Sequence, residues 1–463
     1  MKKKIVIKTV AAERFTPLVV FKKLNARALL ESAVLAIGQS RYSIILVEEA
    51  FRLMLDHQGV HQVTAGVKRT LTKDKSQFIK LLKEAGKEVL TKENFGIPIP
   101  AAGLGFLGYE TAALFDKIKL HQQIDDLKLP DSIFMFGSVF AIFDHYKSEL
   151  HLLALDEDTS TAKAKLEGLA LRLFDDDFRA YKSQDQHFDY TADIESGKSD
   201  FLKGVQIIRD HIIKGNLVQA VLSRRVKINT KLPPIDAYSR LRRENPSPYL
   251  FYLDFDEFQL LGASPELMVS LSGEIATVKP IAGTRKRGKD RAEDVELEKE
   301  LLSDEKERAE HLMLVDLARN DLGRIAVAGK VSPVHLYGVE RYSHVMHIVS
   351  EIEALMRKDC DVYDLIKATF PAGTVSGAPK IIAMEIVSQL EKTKRGPYAG
   401  LVGHFDISGD FDSCITIRSY IHKNDNYYVQ AGAGIVYDSI PEREFEETVY
   451  KSKASIKALG VKI

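Results

Sequence analysis

Alternation of apolar and polar residues at every second position predicts strands along much of the second half of the chain. These strand segments are 220–228, 249–254, 259–263, 267–272, 413–422 and 426–431. Apolar residues three or four positions apart predict helices at about 198–214, 292–321, 360–369, 380–390 and 441–459. Because short turns connect most successive strands, the pattern favours an α+β fold with antiparallel strands and flanking helices.

The first half of the chain carries a similar but sparser pattern. An apolar stretch at 27–36 leads into a predicted strand at 42–47, and two further strands are predicted at 132–144 and 150–155. Residues 156–195 are rich in Asp, Glu, Lys and Ala, and their last part is polar without periodicity. This change in composition predicts two domains, which span residues 1–180 and 195–463.

Composition narrows the class of protein. The chain has 463 residues, 45% of them hydrophobic, and a formal net charge of +0, so no overall positive charge favours nucleic acid or a membrane surface. No window approaches the 18 apolar residues of a membrane span. Two cysteines, Cys360 and Cys414, do not make a disulfide framework and are interpreted as small buried side chains. We therefore expect a cytoplasmic location.

Two predicted helices each present a pair of glutamates three positions apart. The pairs are Glu307 with Glu310 and Glu444 with Glu447. Side chains at this spacing share one helix face, and such pairs usually face solvent. If the two faces met across a cleft, however, their oxygens would suit a hard divalent cation such as Mg²⁺. The second helix is predicted to begin with a capping box, residues 439–442, and to end at Gly460.

Glycine-rich turns and one arginine are candidates for binding an anion. The turns lie at 280–285, 371–380 and 430–435, and none has the form of a P-loop. Arg418 lies in the alternating segment 415–420, which predicts a strand. Its side chain faces either solvent or an anion in the interior, where a substrate carboxylate would suit the guanidinium fork.

These stretches, in this order, resemble the chorismate-utilising enzyme family, which includes anthranilate, aminodeoxychorismate, isochorismate and salicylate synthases. The resemblance covers nearly the whole chain. It is strongest at 280–285, 309–322, 342–348, 371–380, 398–405, 415–418 and 441–448. The fold it implies has antiparallel sheets packed face to face with helices outside.

The resemblance also implies a role for each candidate residue. Glu310 and Glu447 are expected to bind Mg²⁺ directly, and Glu307 and Glu444 through water, while the metal holds the ring carboxylate of chorismate. Glu266 is the expected general acid. Further catalytic residues implied are His347 and Thr374. The expected substrate-binding residues are Gln219, Ala282, Gly283, Thr284, Tyr398, Arg418, Gly432, Gly434 and Lys451.

Two positions distinguish members of the family. Where Gln219 stands, isochorismate and salicylate synthases carry a lysine that activates water, and glutamine cannot act as that base. Where Ala282 stands, many aminodeoxychorismate synthases carry a nucleophilic lysine, and alanine cannot replace it. The pair is the combination of the anthranilate synthases, although some enzymes that stop at aminodeoxyisochorismate share it.

Two further segments resemble the tryptophan feedback pocket of anthranilate synthases. One contains Leu30, Glu31 and Ser32. The other contains Asn245, Pro246, Ser247, Pro248, Tyr249 and Leu250. The family usually has methionine where this chain has Leu250, which is a conservative difference.

The resemblance implies a magnesium-dependent lyase that converts chorismate and ammonia to anthranilate and pyruvate, the first step of tryptophan biosynthesis. Because no glutaminase signature is present, we expect ammonia to come from a glutamine amidotransferase subunit. One alternative is an aminodeoxychorismate or aminodeoxyisochorismate synthase that retains the enolpyruvyl group. A second, non-enzymatic alternative is a tryptophan-binding regulatory protein, which the four retained glutamates argue against.

Overall fold

The computed structural model describes residues 3–32, 41–175, 188–342 and 345–462. Parts of three predicted segments, 33–36, 181–187 and 343–344, lie outside the described residues. Within the described part the helices are α1 (Pro17–Leu24), α2 (Phe78–Lys87), α3 (Thr159–Phe174), α4 (Lys198–Ile213), α5 (Pro234–Glu244), α6 (Arg291–Ser303), α7 (Glu305–Gly323), α8 (Val362–Thr369), α9 (Lys380–Leu390) and α10 (Pro441–Ala458). Among these residues no helix is both long and apolar enough to cross a membrane.

The strands join into one hydrogen-bonded system. They are β1 (Lys4–Ala11), β2 (Ala28–Glu31), β3 (Tyr42–Asp56), β4 (Gly59–Thr64), β5 (Val67–Thr72), β6 (Leu104–Leu107), β7 (Ser132–Asp144), β8 (Glu149–Asp156), β9 (Tyr190–Ala192), β10 (Gln219–Thr230), β11 (Tyr249–Asp254), β12 (Gln259–Ser264), β13 (Ser270–Ser272), β14 (Ile275–Val278), β15 (Ile281–Lys286), β16 (Ala326–Arg341), β17 (Val345–Met356), β18 (Gly377–Ala378), β19 (Leu401–Phe405), β20 (Phe411–Ile415), β21 (Ser419–Lys423) and β22 (Asn426–Ile435).

Strands from the two halves of the chain pair directly with each other. Strand β2 pairs with β11, and β6 pairs with β19, in both cases antiparallel. Strand β2 also pairs with β3, so the first half of the chain continues the sheet of the second half. Hydrogen bonds therefore run between strands on either side of the boundary predicted at 181–194. The division into two domains stays a prediction.

Alternate residues of the long strands face two different cores. In β3, Ile44 and Leu46 pack into a core built mainly from strand side chains, whereas Ile45 and Val47 pack into a core that also receives residues of α3. This alternation follows from the pleat, which points successive side chains to opposite faces. A core built mainly from strands and a second core that also receives helices confirm the predicted α+β class.

The helix predicted at 292–321 is in fact two helices, α6 and α7. The break falls at Asp304, whose carboxylate accepts hydrogen bonds from the backbone N–H groups of Lys306 and Glu307 and so caps α7. The prediction was wrong because the helical pattern continues from α6 into α7, and the cap signal of Asp304 within it was not recognised. The cap sets where α7 begins and therefore where its glutamates point.

Helix α10 begins with Pro441, as predicted, but without a capping box. The Ser439 hydroxyl accepts a hydrogen bond from Val436 N at 3.0 Å, in the preceding turn, and the residue before the helix, Ile440, makes no side-chain cap. Gly460 lies just beyond the helix with φ +88°, where glycine ends helices readily. The predicted limits of α10 are confirmed, and the predicted capping box is wrong.

Candidate active site

Helices α7 and α10 face one cleft with their glutamates. Burial raises the pKa of Glu310 above its usual value, and repulsion from Glu307 and Glu447 raises it further. Glu447 belongs to α10, so its effect on Glu310 shows that the carboxylates of the two helices lie close together. The predicted opposition of the two helix faces is therefore present.

Cations balance these carboxylates only in part. Lys451 Nζ lies 2.6 Å from Glu447 Oε1, and Arg285 NH1 lies 3.3 Å from Glu307 Oε1. Burial raises the pKa of Glu444, to which Glu447 adds repulsion. No three His, Cys, Asp or Glu side chains in the described ranges are spaced to hold a metal ion together. The donor set, an excess of carboxylates over cations in a cleft, nevertheless fits a hard divalent cation in chemistry.

Arg285 is a residue of this site that the sequence did not single out. Its guanidinium contacts Glu300 and Asp304 in addition to Glu307, at 3.0 and 2.8 Å. These contacts link β15 to both α6 and the first turn of α7. Its position in the glycine-rich turn 280–285 is the only signal in the sequence that marks Arg285. Its acidic partners lie in later elements of the chain, so no local pattern links them to it.

Glu266 lies in a pocket that favours its protonated form. Its side chain is 7% exposed, and burial raises its pKa to about 7. The Thr374 hydroxyl and the positive charges of Lys451 and Arg418 oppose that rise. A carboxyl group half-protonated near neutral pH is well suited to donate a proton, as predicted for this residue.

Two buried polar atoms in the cleft have no partner among the described residues. They are Thr374 Oγ1, which lies near Glu266 without regular hydrogen-bond geometry, and Gln219 Oε1. The other end of the Gln219 amide, Nε2, lies 3.4 Å from Glu310 Oε1. Since buried polar atoms normally have partners, these two atoms are available to a bound molecule.

Glycines bring the backbone of β22 against two polar side chains. A Cβ at Gly432 would lie 3.1 Å from Tyr398 Oη, and one at Gly434 would lie 2.5 Å from Gln219 Nε2. Any larger residue at Gly434 would therefore displace the glutamine. Burial raises the pKa of Tyr398 to about 12, so its phenol stays protonated and can donate a hydrogen bond.

Arg418 does not lie in a strand. The predicted strand 413–422 is divided into β20 and β21, and Arg418 stands between them with φ +52°. This left-handed conformation is strained for a residue with a side chain and is concentrated at functional sites. NH1 donates to the Lys451 carbonyl oxygen, and Lys451 Nζ donates to the Gly432 carbonyl oxygen at 3.2 Å. The strand prediction was wrong because alternating residues continue across the break.

A bulge places His347 over the turn that carries Ala282. Strands β15 and β17 pair Ala282 with Ile348 and Thr284 with His347, which leaves Gly283, at φ +63°, as the extra residue. His347 Nδ1 lies 3.0 Å from both the Gly283 carbonyl and the Thr284 hydroxyl. Burial lowers the pKa of His347, so the ring is mainly neutral at pH 7. The structure thus groups all the predicted catalytic residues around one cleft.

A separate cavity of about 1210 Å³ lies beside strands β2 and β11. Its lining includes six of the nine residues predicted for the tryptophan pocket, Leu30, Glu31, Ser32, Pro248, Tyr249 and Leu250. Strand pairing brings the two segments together, with Leu250 opposite Glu31. Asp412 and Cys414 of β20 also line the cavity, four to six residues before Arg418.

The other three predicted residues, Asn245, Pro246 and Ser247, are not among the residues that line this cavity. Asn245 Nδ2 donates to the Ala263 carbonyl at 3.3 Å, and Ser247 Oγ donates to the Asn245 carbonyl at 3.2 Å. These contacts shape the turn between α5 and β11. A role for the three residues in binding a ligand stays a prediction.

Comparisons with known proteins identify the family of the chain. The family model for chorismate binding enzymes matches residues 49–457. Anthranilate synthase component 1 of Spirochaeta aurantia is 45% identical over 463 residues, which cover 99% of this chain and 96% of that protein. The crystal structure of anthranilate synthase component I from Streptococcus pneumoniae is 33% identical, with a TM-score of 0.79, covering 96% of this chain and 98% of that one.

A more distant structure shares the fold. The menaquinone-specific isochorismate synthase of Escherichia coli is 18% identical, with a TM-score of 0.71, and the match covers 99% of this chain and 95% of that one. The similarity to the component 1 proteins, over nearly full length, is much greater. The chain therefore belongs to the chorismate-binding enzyme family and, within it, to the group of anthranilate synthase component 1 proteins.

Proposed function

We propose that this protein converts chorismate and ammonia to anthranilate and pyruvate. The observation that carries the proposal is the buried Glu266, with a pKa of about 7, in a cleft that also holds Arg418, Lys451 and the two glutamate pairs. The first step adds ammonia at C2 of the ring while the C4 hydroxyl leaves, and the second eliminates the enolpyruvyl group as pyruvate. Aromatisation of the ring drives the second step.

The four glutamates are proposed to hold Mg²⁺, Glu310 and Glu447 directly and Glu307 and Glu444 through water. The bound ion would supply positive charge for the ring carboxylate of chorismate. Support comes from the repulsion that Glu310 experiences from its two neighbours, which a cation in the cleft would relieve.

Arg418 and Tyr398 are proposed to bind the enolpyruvyl carboxylate. Arg418 offers a guanidinium, and Tyr398 offers a protonated phenol beside Gly432. Glu266 would then protonate the departing C4 hydroxyl, because its pKa keeps a substantial protonated fraction at neutral pH. His347, whose ring is neutral and contacts the Gly283 carbonyl, is proposed to assist the later loss of pyruvate.

Ammonia is proposed as the nucleophile. Gln219 has no basic group with which to activate water, whereas ammonia needs no such activation. The unpartnered Oε1 of Gln219 can accept a hydrogen bond from ammonia in the cleft. In the absence of ammonia we therefore expect no hydrated product, isochorismate, and this can be checked by chromatography of the reaction mixture.

A second polypeptide is proposed to supply the ammonia. The name component 1, carried by the relatives described above, denotes one part of a two-component enzyme. We propose a glutamine amidotransferase subunit as the other part, which would generate ammonia from glutamine. Adding such a subunit should make turnover depend on glutamine at low ammonium concentration.

The cavity beside β2 and β11 is proposed to bind tryptophan as a feedback inhibitor. Its lining combines apolar side chains with the polar groups of Glu31 and Ser32. Strand β20 connects its wall to Arg418, so a ligand that shifts this strand would also shift a substrate-binding group.

Replacing Ser32 with phenylalanine should weaken inhibition by tryptophan at least about tenfold, equivalent to about 1.4 kcal/mol of binding free energy. Ser32 directly follows the last residue of β2 and lines the cavity, so a phenyl group would occupy the ligand's space. Inhibition curves with and without the substitution measure the effect. Ser32→Thr adds only a methyl group and serves as the control. Equal inhibition of Ser32→Phe and the unmodified protein would place the tryptophan site elsewhere.

The decisive test of the reaction combines the purified chain with chorismate, Mg²⁺ and an ammonium salt at mildly alkaline pH. We expect fluorescent anthranilate and an equal amount of pyruvate, both abolished by a chelator. An amino-cyclohexadiene product that keeps its enolpyruvyl group would instead identify an aminodeoxychorismate or aminodeoxyisochorismate synthase. Tryptophan binding without turnover would identify a regulatory protein.

A further inference from the structure

Arg395 is a buried charge near Tyr398, one of the predicted substrate-binding residues. Its side chain is 1% exposed, and its guanidinium makes four hydrogen bonds. Nε and NH2 donate to the two carboxylate oxygens of Glu391, each at 2.8 Å. NH1 donates to the Val375 carbonyl at 2.8 Å, and NH2 donates to the Val221 carbonyl at 2.6 Å. Four of the five N–H groups of the guanidinium therefore donate to protein acceptors.

Three segments near Arg395 each contain a residue that is predicted to bind substrate or to take part in catalysis. Val375 follows Thr374, Val221 is two residues after Gln219, and Tyr398 is three residues after Arg395. The guanidinium carbon also lies 5.8 Å from the centre of the Tyr398 ring. We call 219–223, 373–376 and 395–398 the clamped segments, because one side chain joins all three.

Glu391 extends the same network to β22. Its Oε1 accepts hydrogen bonds from both the backbone N–H and the hydroxyl of Ser223, each at 2.7 Å. The Ser223 hydroxyl in turn accepts from Gln430 Nε2 at 2.8 Å. Gln430 is two residues before Gly432, the glycine beside the Tyr398 hydroxyl. The network therefore reaches the fourth piece of backbone that lines the cleft.

The first half of the chain holds the turn from the other side. Glu110 accepts hydrogen bonds from Arg395 N at 2.7 Å and from Gly396 N at 3.0 Å. The Tyr109 ring lies 4.3 Å from the guanidinium carbon, in cation–π geometry. Gly396 has φ +61°, a backbone conformation that favours glycine. The turn that leads to Tyr398 is therefore held by the hydrogen bonds of Glu110 and depends on this glycine.

Stability alone does not account for this arrangement. A buried ion pair is on average no more stabilising than well-packed apolar residues, because both charges lose their hydration. What the guanidinium adds is geometry, since its planar fork fixes two carbonyls and a carboxylate at once. We propose that Arg395 is a positioning residue that holds the clamped segments in the geometry that binds chorismate. This inference rests on the proposed function of the cleft.

The test compares Arg395→Lys with Arg52→Lys in the full-length chain. Arg52 also forks onto a glutamate, Glu49, and its side chain is 11% exposed, but it lies in β3 away from the cleft. Lysine keeps the charge and loses the fork in both variants. Because misplacing binding groups by 1 Å can reduce catalysis about 100-fold, we expect kcat/KM for chorismate to fall by that order in Arg395→Lys. Most of the change should appear in KM.

A second measurement reads the clamp without reference to turnover. Hydrogen exchange of the backbone amides should accelerate in the clamped segments of Arg395→Lys and remain unchanged there in Arg52→Lys. A third measurement uses Arg395→Ala. Guanidinium added at millimolar concentration should restore part of the affinity of this variant for chorismate. An Arg395→Lys variant with a lower Tm but unaltered KM and unaltered exchange rates in the clamped segments would overturn the proposal. An unmodified chain that does not turn over chorismate would refute the proposed function instead.

Discussion

Replacing Glu310 with glutamine should reduce turnover about 1000-fold, which corresponds to about 4 kcal/mol of lost transition-state stabilisation. Glutamine keeps the shape of the side chain and removes its negative charge, so the expected loss reflects the proposed metal site rather than packing. Steady-state rates measured over a range of Mg²⁺ concentrations test this. The apparent affinity for Mg²⁺ should fall together with kcat.

Stability separates this effect from simple unfolding. Burial and repulsion raise the pKa of Glu310, which means that its ionised form is unfavourable in the folded protein. Removing the charge should therefore leave the Tm of the metal-free protein unchanged or slightly higher. Glu305→Gln, at an exposed position of the same helix, is the matched control and should retain full activity. Near-normal turnover of Glu310→Gln at ordinary Mg²⁺ concentrations would show that the metal assignment is wrong.

Local patterns in the sequence were sufficient for the features that depend on a single helix. The spacing of Glu307 and Glu310, and of Glu444 and Glu447, predicts one face for each pair whatever the tertiary structure. That the two faces meet depends on how α7 and α10 pack, and only the family resemblance indicated it. Repulsion from Glu447, which contributes to the raised pKa of Glu310, indicates that they do.

Features created by contacts between distant segments could not be predicted. The alternating pattern around Arg418 continues through a break that only the backbone conformation reveals. Glu110 binds backbone N–H groups nearly three hundred positions away, so no local signal marks either partner. The pairing of β2 with β11 likewise depends on the whole sheet, and it explains why a change in composition at 156–195 does not divide the hydrogen-bonded structure.

Replacing Glu266 with glutamine should lower kcat by about 100- to 10,000-fold, the usual contribution of a general acid. The sharper expectation concerns pH. Glu266 must be protonated to act, and its pKa is about 7, so kcat/KM for chorismate should decline above pH 7. Ammonia is more reactive at high pH, and the profile must therefore be measured at a constant concentration of unprotonated ammonia. Glu266→Gln should show no such decline, and a decline that persists in this variant would assign it to another group.

The raised pKa of Glu266 also predicts that the folded protein becomes less stable as pH rises. The folded protein binds a proton at Glu266 up to about pH 7, whereas the unfolded chain releases it near the ordinary value of 4.5. Stability is therefore lost as pH rises between these two values, by roughly 3 kcal/mol at pH 8. Glu266→Gln should have a higher Tm than the unmodified protein at pH 8 and an equal Tm at pH 4. Such a variant, more stable but nearly inactive, would show that the burial of this carboxyl serves the reaction and reduces stability. If Glu266→Gln and the unmodified protein had equal Tm values at pH 8 as well as at pH 4, Glu266 would be better solvated than its surroundings indicate. Its assignment as the acid would then lose its physical basis.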